Sequence, residues 1–218
     1  MNTMQIFARL LLPLLLAAAT ASSAHADVVD DAVRAVQHRW EQVTYEAPAA
    51  ERLRMLEGLA ADAHELSARH PDRAEPLIWE GIVVSSLAGE KGGLGALGLA
   101  KRARACYEKS LGIDDHALDG SAYNSLGVLY YRVPGWPIGF GDRKKADELI
   151  RKALAINPDG IDPNYFYGDF LLSSGRPAEA LPYLQRALGA RPRPGREIAD
   201  KGRRAEAAVL QEKARSQM

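Results

Sequence analysis

Between Ile161 and Pro192 the apolar positions fall into two stripes at helical spacing: Tyr167, Gly168, Leu171 and Leu172, then Ala180, Leu184, Ala187 and Leu188. Gly175 separates them, and a residue without a Cβ ends a helix there at no steric cost. Pro177 suits the first turn of the second helix, and Pro192 bars continuation beyond Ala190. The pattern predicts a helical hairpin with one apolar side. Helices this short cannot bury such a side alone, so neighbouring hairpins must stack.

The same skeleton recurs upstream. Gly127 with Tyr123 and Tyr130 marks a first helix, and Ala146, Ile150, Ala153 and Pro158 mark its partner. Gly81, Ala103, Tyr107 and Leu111 form a weaker copy. Pro158 to Pro192 is 34 positions, and Pro71 precedes Gly81 by ten, as Pro158 precedes Gly168. Two more stripes precede the array: Val29, Ala32, Val33, Val36, Trp40 and Val43, then Leu53, Leu56, Leu59, Ala60, Ala63 and Leu66. After Arg193-Pro194-Gly195 a last helix is expected from about Glu197 to Ser216, with Ile198, Gly202, Ala205 and Val209 on its inner side.

A period of 34 residues, small residues where helices touch and a proline at the repeat end resemble the tetratricopeptide repeat over residues 71–192. The implied fold is all-α, a helical-hairpin solenoid of about nine helices. Its parts are a leader (1–26), an N-terminal hairpin or cap (27–70), three repeats (71–192) and a C-terminal capping helix (193–218).

The first two repeats are stretched. Gly168 to Ala180 is 12 positions, whereas Gly127 to Ala146 is 19 and Gly81 to Ala103 is 22. The inserts, GEKGGLGALGLAKRA and RVPGWPIGFGDRKKA, are expected to form elongated turns. Glycine-rich loops can cradle phosphate, but no Gly-Lys-Ser/Thr step follows either one, which argues against a nucleotide loop.

Residues 1–26 read as a secretory leader: one positive charge at Arg9, an apolar run from Leu10 to Ala19 and a small-x-small site at Ala24-His25-Ala26 before Asp27. Cleavage after Ala26 and a periplasmic destination are expected. The apolar run is short for a span and no cysteine lies near the site to accept a lipid, so no stable membrane anchor is expected. Removing Arg9 leaves 27 basic against 28 acidic residues, a balance that argues against nucleic acid as partner. The basic residues after Arg186 are interspersed with Glu197, Asp200, Glu206 and Glu212, and read as a solvated cap.

Enzyme and metal motifs fail on specifics. His64-Glu65 opens an HExxH pattern, but position 68 is alanine; His38, His70 and His116 have no ligand spacing; no Gly-x-Ser-x-Gly turn occurs. Cys106 has no histidine nearby in sequence and reads as a small buried residue. The expectation is a non-catalytic protein without cofactor or metal.

Ten of the fifteen aromatic residues lie between Tyr123 and Tyr183, more than the repeat contacts of Tyr123, Tyr130, Tyr167, Phe170 and Tyr183 absorb. In the repeat family the first helix of each repeat lines an inner groove. Transferring those positions gives Ser121, Asn124, Val128, Tyr131 and Arg132, then Asp162, Tyr165, Asp169, Leu172 and Ser173. Asn124, Tyr131, Arg132, Tyr165 and Asp169, with Trp136 and Phe140 of the adjoining turn, are the candidate binding residues. Such a surface suits a protein or peptide partner, a second copy of the chain included, or a small organic ligand. The run from Tyr130 to Leu172 further resembles exported bacterial repeat proteins grouped with the T-component of TRAP transporters, which implies a small-ligand accessory role as the alternative.

Overall fold

The structure, a computed structural model, describes residues 28–218, so the expected leader lies outside the described residues. The chain divides into two units, Met1–Ala35 and Val36–Met218. Of the first, residues 28–35 are helical, and an exposed ion pair joins Arg34 to Asp31.

Nine helices and no strand occur among the described residues. They are α1 (28–45), α2 (Ala49–Arg69), α3 (Ala74–Lys91), α4 (Gly93–Leu111), α5 (Ala117–Arg132), α6 (Arg143–Ile156), α7 (Ile161–Ser173), α8 (Pro177–Gly189) and α9 (Glu197–Ser216). None is long and apolar enough to cross a membrane. The pairs α3–α4, α5–α6 and α7–α8 pack as hairpins, and the first helices also touch in series, α3 on α5 and α5 on α7.

The hairpin glycines hold the repeats together for a steric reason. A Cβ on Gly81 would run into the Tyr107 ring, one on Gly127 would lie 2.6 Å from Ile150 Cγ1, and one on Gly168 would lie 2.7 Å from Leu184 Cγ. Facing them, Ala103, Ala146 and Ala180 are completely buried. Each hairpin is therefore a close helix contact made possible by a missing side chain on one helix and a small one on the other. Gly175 takes φ +71 between α7 and α8, and Pro177 opens α8, as the spacing predicts.

Two expectations need correction. The first insert is not an elongated turn: α3 continues to Lys91, α4 starts at Gly93, and the junction is Gly92 at φ +60. Gly95 and Gly98 lie inside α4, so the extra residues lengthen two helices. The second insert is a true loop, residues 133–142, tied by Gly141 N donating to Pro134 O (2.9 Å) and Asp142 N to Tyr130 O (2.8 Å).

The inner side of α9 also differs. Val209 is 69% exposed, whereas Ala199, Asp200, Ala207 and Ala214 are buried, and the Arg203 side chain is only 11% exposed. The apolar stripe read from sequence missed this face because its central member is a charged residue, neutralised in place by carboxylates.

Candidate binding site

The inner faces of the first helices meet the C-terminal segment around one cavity of about 960 Å³, formed within the Val36–Met218 unit. Its walls come from α1 (Gln37, Trp40), α3 (Trp79, Ile82), α5 (Asn124, Val128), α7 (Asp162, Phe166) and the connection running through Pro192, Arg193 and Pro194 into α9. Trp40 Nε1 donates to Ser86 Oγ (2.8 Å), which holds one wall in place.

The cavity is closed on one side by paired charges. Arg203 Nε donates to Asp162 Oδ1 (2.9 Å), and Arg193 Nη1 donates to Asp162 Oδ2 (2.6 Å). Arg193 Nε also reaches Asp200 Oδ1 (2.8 Å), and Arg203 Nη1 reaches Glu206 Oε2 (2.6 Å). Arg196 pairs with Glu41 of α1, a carboxylate side chain 1% exposed. The Gln37 amide oxygen, once its amide is turned to satisfy both its atoms, accepts from the same guanidinium. Arg196 also lies over the Trp79 ring at 5.4 Å. Beside this contact Gly202 sits against the Tyr45 ring, where a Cβ would collide. The C-terminal arginines are thus a partly buried network tying α9 and the segment leading into it to α7 and α1, and the solvated-cap expectation fails at Arg193, Arg196 and Arg203.

Burial pushes the Asp162 carboxyl up, but Arg203 and Arg193 override it and hold the group well below the usual carboxylate range. A folded-state pKa depressed in this way contributes stability that is complete above the ordinary carboxylate pKa and is lost as the pH falls below it. The urea midpoint should therefore begin to drop below about pH 4.5 and keep falling with further acidification, and by less in an Asp162→Asn variant. An equal drop in both proteins would show that Asp162 carries none of the linkage.

The seven candidate residues separate into four places. Asn124 lines the cavity, as do the groove positions Ser121, Val128 and Asp162. Tyr131, Arg132 and Asp169 come together beyond it: Tyr131 Oη donates to Asp169 Oδ2 (2.6 Å), and Arg132 pairs with the same carboxylate. Burial, and next the Asp169 charge, push the Tyr131 phenol well above its ordinary range. Tyr165 is buried and covered by the Arg203 guanidinium, 4.5 Å from its ring centre. Trp136 and Phe140 sit on the 133–142 loop but not together. Phe140 packs edge-on against Tyr130 (5.6 Å between centroids) beneath Arg104, while Trp136 is 90% exposed.

Sequence reasoning missed Trp79, Arg193, Arg196 and Arg203. The one available signal was the density of arginines around Arg193-Pro194-Gly195. Among other groups, Cys106 is buried, and burial pushes its thiol up to about 12, which leaves it unreactive. Asp114, Asp115 and His116 bring ligand-type atoms within 4.8 Å of one another, but Asp115 already bonds His116 and Tyr123 at the surface.

The fold is an all-α solenoid of tetratricopeptide-like helical hairpins, stacked through their first helices. Residues 138–200 match the tetratricopeptide-repeat family profile. Among solved structures, a thermophilic TPR protein of Thermus thermophilus superposes with a TM-score of 0.55 at 18% identity, over 87% of this chain and 95% of its own. A crystal structure of MamA gives a TM-score of 0.46 at 19% identity, covering 79% of this chain and 95% of that one. No curated protein matches the sequence.

Proposed function

We propose that the chain is an exported, non-catalytic binding protein that engages a protein partner through the 133–142 loop and the adjoining end of α5 at Arg132. The observation that carries this reading is Trp136, 90% exposed, beside Ile138 at 69%. Tryptophan and arginine are the residue types that most often dominate binding energy at protein interfaces. The loop presents them on an ordered frame: Ile138 N and Gly139 N both donate to Gly135 O, at 3.2 and 3.1 Å, so little ordering is left to lose on contact. Export rests on the apolar leader and its small-residue cleavage site, and implies a periplasmic location.

Affinity capture from periplasmic extract of the source organism tests the reading. A partner held by the wild-type protein should be retained about tenfold less by a Trp136→Ala, Ile138→Ala double variant, with thermal stability unchanged. Equal retention would overturn it.

The cavity favours a second reading, in which the protein is a small-ligand accessory of a TRAP-type transporter. Its volume lies in the range of small-molecule sites, and its walls combine tryptophan and phenylalanine with many polar and charged side chains. Co-purification of a solute-binding protein with the chain would support that role.

A further inference from the structure

Two uncharged polar atoms of the cavity-lining residues have no partner; a third buried atom there, Arg193 Nη2, makes no hydrogen bond but lies 2.6 Å from Asp200 Oδ1 as an ion pair. Trp79 is 3% exposed and Asn124 5% exposed; both line the cavity, and Trp79 Nε1 and Asn124 Oδ1 are buried without a hydrogen bond. A buried donor or acceptor left unpaired costs about 1–3 kcal/mol, so such groups are normally satisfied unless a ligand completes them. The two atoms are complementary in kind. An indole N–H can only donate, and an amide oxygen can only accept.

Asp119, Asp159 and Arg191 of the lining are exposed to water, and the less exposed charged groups are paired with one another. Arg193 and Arg203 are shared with Asp162, Asp200 and Glu206, and Arg196 is paired with Glu41. The deep wall therefore holds no uncompensated ion to receive a charged ligand, and a lone charge placed there would meet the full cost of leaving water.

The geometry points to a site for a compact, uncharged organic molecule that carries a carbonyl acceptor for Trp79 and an N–H donor for Asn124, as an amide does. The C-terminal connection sets the size. Arg193 reaches Asp162 of α7 and Arg196 reaches Glu41 of α1 and the Trp79 ring of α3, so the connection crosses the first-helix faces and an extended chain running along them would meet it. Among the lining residues, Ile82, Val128 and Phe166 supply apolar contact for the body of the molecule. This deepens the small-ligand reading by naming the chemistry of its ligand, and it does not depend on any transporter or on the Trp136 loop.

Benzamide, benzoate and toluene are suitable probes, because they share a ring and differ in the polar group. Proton–nitrogen spectra of the full protein should show three indole signals, from Trp40, Trp79 and Trp136, assigned with single phenylalanine variants. Benzamide should shift the Trp79 signal saturably and leave Trp136 unmoved; Trp40, already bonded to Ser86, should hold its hydrogen-bonded position. Benzoate and toluene should bind about tenfold more weakly, and Asn124→Ala should weaken benzamide by a similar factor. No saturable shift at Trp79, or benzoate binding as tightly as benzamide, would overturn the assignment. The comparison of probes on wild-type protein decides the matter even where Asn124→Ala perturbs folding. A negative result here leaves recruitment of a solute-binding protein to be measured separately, so the two failures are distinguishable.

Discussion

Replacing Glu41 by alanine should destabilise the Val36–Met218 unit by about 3–5 kcal/mol, measured by urea denaturation. The Glu41 carboxylate is 1% exposed and the Arg196 side chain 16% exposed, so neither is relieved by water. The substitution leaves the guanidinium buried, with Arg193 as a like-charged neighbour and burial itself disfavouring its charge. Arg196 would keep the Gln37 amide oxygen and the Trp79 face, which soften the loss without neutralising it. A change under about 1 kcal/mol would mean the pair is solvated, as surface pairs are.

Gly127→Val should cost about 3 kcal/mol, the upper range for overpacking a core. A Cβ there already meets Ile150 Cγ1 at 2.6 Å, and behind it lie Ala146 O at 3.2 Å and the Ile150 backbone nitrogen at 3.3 Å. A side chain can turn away; helix backbone cannot, so α5 and α6 must separate. Gly58, with nothing within 4 Å of a Cβ, is the control: valine at that exposed position should change stability by no more than about 1 kcal/mol. Comparable losses at both sites would remove close packing as the reason for glycine at 127.

The contrast between those glycines also explains what the sequence could reveal. Gly81, Gly127 and Gly168 each precede a completely buried alanine on the partner helix, at 22, 19 and 12 positions, so a small residue on each helix encodes the hairpins even where an insert changes the spacing. Gly95 and Gly98 carried the same letter without that constraint. They suggested a turn by composition, whereas the structure keeps both in a helix whose neighbour α3 supplies the packing that intrinsic propensity lacks. Asn124 was legible as a groove residue because its register follows from Gly127. Tyr165 carried the same warrant and is covered by Arg203, 38 residues later in the chain. Nothing local to α7 announces that α9 returns over it, and a burial stripe with arginine at its centre does not register as apolar periodicity. Trp79 was missed for the opposite reason: its helix is buried on most sides, so no face stood out as lining a cavity.

The cavity exists because the last helix closes onto the first, and a double-mutant cycle on Glu41 and Arg196 tests that closure directly. Urea denaturation of the wild type, Glu41→Ala, Arg196→Ala and the double variant should give a coupling energy of about 2 kcal/mol, since the two residues touch across 155 positions of sequence. Single losses that add to the double within about 0.5 kcal/mol would place the two side chains apart and contradict the closed cavity.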